Sequence, residues 1–127
     1  MKTLMVILQN AYGVEQGYIP SYDKPSFRNC HTGRRLKHAL PDNVNIHIIN
    51  ANPDVGTTAT SNFPPDPAYV MSKIKELKPD VILACGHNAK EAIRDIDMPF
   101  VTMPHPAYRA LTNQTLYDTK EKLNALL

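Results

Sequence analysis

The chain has 127 residues, of which 43% are apolar and 20% charged, and its net charge is +2. This length fits one domain, so we expect residues 1–127 to form a single unit with its own core. So small a net charge does not by itself indicate a nucleic-acid or membrane partner. The two cysteines, Cys30 and Cys85, form no CxxC pair, which excludes a four-cysteine metal cluster or a disulfide framework within the chain.

The first apolar run, Leu4 to Leu8, is too short for the hydrophobic core of a signal peptide. No run is long enough to span a bilayer. We therefore expect a cytoplasmic protein without a membrane partner.

Short apolar runs alternate with helical patterns along the chain. The predicted strands are residues 3–8, 44–50, 80–85 and 99–103. The predicted helices are residues 66–78, 87–96 and 112–127, and residues 27–39 can hold another between the first two strands. This alternation predicts a three-layer α/β/α sandwich around a four-stranded parallel sheet.

A polar or Gly/Pro-shaped loop follows each predicted strand. The loops read QNAYG (9–13), NANPD (50–54), CGHNA (85–89) and PHPAYR (104–109). The carboxyl ends of parallel strands meet at one edge, where such sheets bind their ligands. These loops therefore predict a binding site at that edge, although connecting loops are commonly polar for solvation alone.

The residue types in these loops limit the chemistry of the site. The chain has no GxGxxG, no GxxxxGK[ST] and no GxSxG, so dinucleotide, P-loop and serine-nucleophile interpretations lack their motifs. His87 and His105 lie on different loops without an obvious third ligand, so we expect neither a metal nor another cofactor. Amide side chains carry a donor and an acceptor together, which suits the imide edge of a pyrimidine.

The order of these motifs resembles that of the uracil-DNA glycosylase superfamily. LQNAYG (8–13) is similar to its first motif, Gly-Gln-Asp-Pro-Tyr-His, and HPA (105–107) is similar to its His-Pro-Ser motif. Between them, IHIIN (46–50), VILACGHNAKEA (81–92) and TGRRL (32–36) resemble family segments in the same order. The resemblance covers most of the chain and implies a glycosylase that hydrolyses the N-glycosidic bond of uracil or a related pyrimidine in DNA.

The resemblance implies two catalytic residues. Asn10 falls where the family usually places a carboxylate that positions water, and would orient the water as an amide. His105 matches the histidine that stabilises negative charge on the departing base. We expect either a slow enzyme or help from another carboxylate, with Glu15 and Asp54 as candidates.

The resemblance also implies four substrate-binding residues. Tyr12 would block the 5-position of the pyrimidine, Asn50 would read its edge, and Phe27 would stack on it, while Gln9 is retained in the first motif. Asn52 can replace Asn50 in this role, because strand ends are predicted only to within about two to four residues.

The predicted DNA contacts come from basic and loop residues. Residues 27–38 hold four Arg or Lys and no acid, a pattern that fits a phosphate track or simply a solvated helix face. The loop after the His-Pro motif reads YRAL, so Tyr108 or Arg109 would approach the duplex. The predicted DNA-binding residues are Arg34, Arg35, His87, Tyr108 and Arg109.

Three functions stay open on the sequence alone. The first is a monomeric glycosylase acting on single- or double-stranded DNA. The second is an altered member of the family that binds nucleic acid, a modified base or a nucleotide without excising it. The third is an unrelated nucleotide-handling α/β domain. Residues 53–67 fit either a loop that covers the site or a simple connector.

Overall fold

Four parallel strands form the central sheet of the computed structural model, which describes residues 1–127. The strands are β1 (Thr3–Leu8), β2 (Asn45–Asn50), β3 (Val81–Cys85) and β4 (Phe100–Met103), in the spatial order β2-β1-β3-β4. β1 pairs with both β2 and β3, and all three pairings are parallel. The four predicted strands are thus confirmed, with three of them beginning one residue later than expected.

Helices cover both faces of this sheet. They are α1 (Pro25–Arg28), α2 (His31–Leu36), a 3₁₀ turn (Lys37–Ala39), α3 (Pro67–Leu77), α4 (His87–Ala92) and α5 (Asn113–Leu126). The first core cluster joins α1, α2, the turn and α5 to one face, and the second joins α3 and α4 to the other. The predicted α/β/α sandwich is confirmed. None of the helices combines the length and the apolar character needed to cross a membrane.

The central strand β1 shows why the sheet has two apolar faces. Leu4 and Val6 point into the first cluster, whereas Met5 and Ile7 point into the second, and all four are fully buried. Successive side chains of a strand alternate between faces, so a strand covered on both sides must be apolar throughout.

Side-chain caps mark the first turns of the two longest helices. The Asp66 carboxylate accepts a hydrogen bond from the Tyr69 N–H at 3.1 Å, and Pro67 occupies the first helical position of α3. At α5, the Thr112 hydroxyl accepts a hydrogen bond from the Thr115 N–H at 3.2 Å. These caps fix where both helices begin.

Residues 27–39 do not form the single helix that their pattern allowed. The chain breaks before Cys30, whose Sγ accepts a hydrogen bond from the Gly33 N–H at 3.3 Å and so starts α2. A Cβ at Gly33 would lie 2.0 Å from the Phe27 carbonyl oxygen. Only glycine permits this close approach, and the approach folds α1 against α2.

The predicted helix of residues 87–96 also ends early, at Ala92. Beyond it the backbone makes bonds between residues three apart, such as the Ile96 N–H to the Ile93 carbonyl at 3.0 Å. Ile93 itself is still buried in the second cluster, so its apolar periodicity reflects a tight turn rather than a longer helix.

Candidate functional site

A cavity of about 580 Å³ opens at the carboxyl edge of the sheet. Its walls include the last residue of β2 and the segments that directly follow β1 and β4, because parallel strands bring their carboxyl ends together. All six residues predicted to act in catalysis or substrate binding line it: Gln9, Asn10, Tyr12, Phe27, Asn50 and His105.

His105 is held in one tautomer by its own loop. The backbone N–H of Ala107 donates a hydrogen bond to Nδ1 of His105 at 3.0 Å. A backbone N–H can only donate, so Nδ1 is the acceptor and the proton of the neutral ring sits on Nε2. Burial lowers the pKa of His105 below its usual value of 6.5, which favours the neutral ring. The Nε2–H is a neutral donor that makes no bond within the protein.

The turn between β3 and α4 is shaped to leave room for this histidine. Gly86 has φ of +91° and ψ of 176°, a conformation that is essentially restricted to glycine. A Cβ at this position would lie 3.3 Å from the Cβ of His105. The loops after β3 and β4 therefore touch directly behind the imidazole.

The Asn10 side chain is oriented by two backbone groups. Its Nδ2 donates to the Ala11 carbonyl at 3.0 Å, and its Oδ1 accepts from the Phe63 N–H at 3.4 Å. Because a carbonyl only accepts and an N–H only donates, the amide cannot be flipped. The second lone pair of Oδ1 is the remaining acceptor that Asn10 can offer to a water.

The structure distinguishes Asn50 from Asn52. Asn52 donates from Nδ2 to the Pro64 carbonyl at 2.9 Å and accepts from the Asp54 N–H at 2.8 Å, so both ends of its amide hold the loop. Asn50 is only 8% exposed, yet its amide makes no side-chain hydrogen bond and borders the cavity. Its polar atoms therefore reach the cavity surface and are available for a ligand, whereas those of Asn52 are occupied by the loop.

Phe27 and Tyr12 occupy different depths of the cavity. Phe27 is buried and packs edge-to-face against Tyr22, with ring centroids 6.3 Å apart. Tyr12 lies at the mouth and is 53% exposed. Its backbone region is bonded to the segment around Gly56, where the Gly56 N–H donates to the Ala11 carbonyl at 2.8 Å. Phe27 can form a fixed wall and Tyr12 an outer one.

A chain of amides that the sequence did not reveal supports Gln9. Gln9 Nε2 donates to Asn62 Oδ1 at 2.9 Å, and Asn88 Nδ2 donates to the same oxygen at 2.8 Å. Asn88 also donates to the Phe63 carbonyl at 3.0 Å. The loop of residues 53–66 is thereby bonded to both the β1 loop and α4. Tyr18 and Ser61, which also line the cavity, were not predicted either.

No carboxylate lines the cavity. Asp54 and Glu15, the two acids expected to assist Asn10, are exposed and stand outside its walls. Neither acid therefore contacts the cavity that holds Asn10, and the slow enzyme remains the prediction. The chain also contains no group of three or more His, Cys, Asp or Glu placed to share a metal ion.

The predicted DNA-binding residues fall into two groups. Arg34, His87, Tyr108 and Arg109 are exposed. Arg35 instead donates to the Tyr108 carbonyl at 2.8 Å and to the Leu111 carbonyl, so its guanidinium clamps α2 to the loop after His105. The side chain of Arg35 thus has partners within the protein, whereas the side chains of the other four predicted residues have none.

A second cavity, of about 640 Å³, runs along the outer edge of β2. It shares Tyr18, Pro20 and Asn50 with the first cavity and contains none of the other predicted site residues. Because His105 and the predicted amides Gln9 and Asn10 line only the smaller cavity, we take the smaller one as the candidate site.

The fold and cavity define a small parallel α/β protein with an amide- and histidine-lined pocket at the carboxyl edge of its sheet. The sequence matches no protein-family model, and comparison with curated proteins gives no significant match.

Proposed function

We propose that this protein is a DNA glycosylase that hydrolyses the N-glycosidic bond of uracil or a related pyrimidine. Such a reaction requires the base to leave the stack and enter a pocket, where its edge is read by hydrogen bonds. The developing negative charge on the base then needs a donor, and the sugar needs a positioned water.

The observation that carries the proposal is the pairing of His105 with Asn50 in one cavity. His105 presents a neutral Nε2–H with its other nitrogen already bonded, and Asn50 presents to the cavity an amide that has no protein partner. A donor in the same cavity as an unpartnered donor–acceptor amide suits the carbonyl and imide groups of a pyrimidine. The cavity volume of about 580 Å³ also lies in the usual range for small-molecule pockets.

The roles of the other residues follow from their positions. Asn10 Oδ1 orients the water, Phe27 stacks on the base, and Tyr12 closes the mouth of the cavity. The exposed Arg34 and Arg109 supply positive charge for phosphates outside the cavity. The partner of this protein would then be DNA.

One finding favours a second candidate, a member that binds DNA or a modified base without excising it. The cavity contains no carboxylate to stabilise the cationic sugar, and the Asn10 amide already bonds two backbone groups. Such a protein would bind a uracil-containing strand and leave it intact.

Base release separates the two candidates. Single- and double-stranded oligonucleotides carrying uracil, hypoxanthine or hydroxymethyluracil are incubated with the protein, and abasic sites are quantified. We expect release of uracil by the wild type, and loss of about 100-fold or more in His105→Ala, which removes the donor to the base. Absence of release from all three bases, together with retained binding of the uracil strand, would establish the second candidate instead.

Two controls locate the activity. Asn10→Ala tests the water-positioning role, and His47→Asn changes an exposed histidine that lies outside the cavity. Release that survives unchanged in both His105→Ala and Asn10→Ala would place the chemistry elsewhere in the molecule.

A further inference from the structure

Asn88 lies outside the cavity walls, yet its bonds lead to two residues that line them. Asn88 is the second residue of α4 and donates from Nδ2 to the Phe63 carbonyl at 3.0 Å and to Asn62 Oδ1 at 2.8 Å. Because a carbonyl only accepts, the first bond fixes which end of the Asn88 amide faces the loop. The second bond then requires the oxygen of Asn62 to face Asn88.

Each of these bonds continues into the site. The N–H of Phe63 donates to Asn10 Oδ1 at 3.4 Å, so Phe63 is held by Asn88 at its carbonyl and holds Asn10 at its N–H. Asn62 Oδ1 accepts a further bond from Gln9 Nε2 at 2.9 Å. Asn88 is therefore linked to Asn10 through Phe63, and to Gln9 through Asn62.

From this geometry we infer that Asn88 and Asn62 are positioning residues, which lock the loop of residues 53–66 against α4 and thereby orient Asn10 and Gln9. This inference deepens the function proposed above and rests on it for its catalytic consequence. Asn62 acts only as an acceptor in the lock and Asn88 only as a donor, so their isosteric acid variants must have opposite effects.

The test compares Asn88→Asp with Asn62→Asp in the full chain. Asn88→Asp keeps the shape, loses the donor, and sets a carboxylate against the Phe63 carbonyl. Asn62→Asp keeps the acceptor and strengthens it with charge. If Asn88 served only the helix, Asn88→Asp would be harmless, because negative charge near a helix N-terminus is favourable.

We expect Asn88→Asp to lower kcat for base release roughly five- to thirty-fold, the factor for one lost hydrogen bond or two, with a smaller change in KM. Asn62→Ala should show a comparable loss, and Asn62→Asp should recover most of it. Asn124→Ala, on the exposed face of α5, should match the wild type in all measurements.

Amide hydrogen exchange tests this interaction without relying on base release. Exchange of the Phe63 N–H should accelerate in Asn88→Asp and stay at the wild-type rate in Asn62→Asp. The N–H of Asp66, which donates to the Ala51 carbonyl at 2.8 Å, serves as the reference within the same loop. If exchange of the Asp66 N–H accelerates equally, Asn88→Asp has loosened the whole loop. Asn88→Ala is then measured in place of Asn88→Asp.

The inference is overturned if Phe63 exchange is unchanged in both Asn88→Asp and Asn88→Ala. It is also overturned if exchange accelerates while kcat stays at the wild-type value. Should the wild type release no base, the proposed glycosylase activity fails, and the exchange pattern alone then decides whether the lock exists.

Discussion

The Ala107 N–H and the His105 Nδ1 are bonded at 3.0 Å, across a single intervening proline. Pro106 is fully buried and fixes the backbone between them. The histidine is thus oriented by its own loop and does not depend on a separate carboxylate partner.

The pH dependence of stability should reveal the neutral state of His105. Its pKa is lower in the folded protein than in the unfolded chain, so the unfolded state binds the proton first as the pH falls. The contribution of neutral His105 to the free energy of unfolding is therefore fully present above the usual histidine pKa of 6.5. This contribution declines as the pH drops from there toward the pKa of the folded state. Urea unfolding across about pH 5 to 8 measures this, and His105→Asn should flatten the decline. His47→Asn should leave the decline attributable to His105 in place.

Protonation of His105 should also abolish the proposed base release in acid. The imidazolium carries a proton on both nitrogens, so Nδ1 can no longer accept from the Ala107 N–H. We expect kcat to fall as the pH passes below the lowered pKa of His105, and to stay level above it. A rate that rises on acidification would show that the protonated form is the active one.

Asn50→Ala and Asn52→Ala should separate binding from stability. Asn50→Ala removes an amide with no protein partner, so the free energy of unfolding should change by less than about 0.5 kcal/mol while base release is lost. Asn52→Ala leaves the Asp54 N–H and the Pro64 carbonyl unpaired, and should cost about 1–3 kcal/mol. Urea denaturation and the oligonucleotide assay, run on both variants, measure the two effects. Equal destabilisation by the two substitutions would contradict the assignment of Asn50 to the ligand and of Asn52 to the loop.

Gly86→Ala should damage both fold and site. The new Cβ meets the Cβ of His105 at 3.3 Å, and the backbone at φ of +91° strains any other residue. We expect a loss of about 1–3 kcal/mol in unfolding free energy. Gly13→Ala is a useful comparison, since its φ is also positive but nothing lies within 4 Å of the added Cβ. Only Gly86→Ala should displace the His105 ring signals in NMR spectra.

The neighbouring arginines of α2 should behave differently on truncation. Arg35→Ala removes the clamp on the Tyr108 and Leu111 carbonyls and should cost about 1–2 kcal/mol. Arg34→Ala should change stability by less than about 0.5 kcal/mol, because this side chain is exposed. For DNA binding, Arg34→Ala should reduce the salt dependence of the affinity. An unchanged salt dependence would remove Arg34 from the proposed DNA contact.

The strands and the two longest helices were predictable because their signals are local. Alternate burial of Leu4 and Met5 follows from the period of a strand, and the Asp66 and Thr112 caps are read from neighbouring residues. The break before Cys30 was not predictable. It depends on the Phe27 carbonyl approaching Gly33, and no periodic pattern records that contact.

Only the part of the candidate site that lies at the strand ends was predictable from the sequence. Residues such as Asn10 and His105 follow β1 and β4 directly, so the topology brings them together. The choice between Asn50 and Asn52 needed the hydrogen bonds of the loop. Asn62 and Asn88 remained hidden for the same reason, since their roles arise from the irregular path of residues 53–66.

The position of β1 at the centre of the sheet has a consequence for how the chain folds. Thr3 pairs with Asn45 and Leu4 pairs with Val81, so its two neighbours lie far along the sequence. Parallel pairing across such separations requires long loop closures and folds slowly. During synthesis, one edge of this apolar strand has no partner until Val81 has left the ribosome, and the cavity cannot close before His105 follows. The nascent chain therefore has an aggregation-prone interval that ends only when most of the protein has been made.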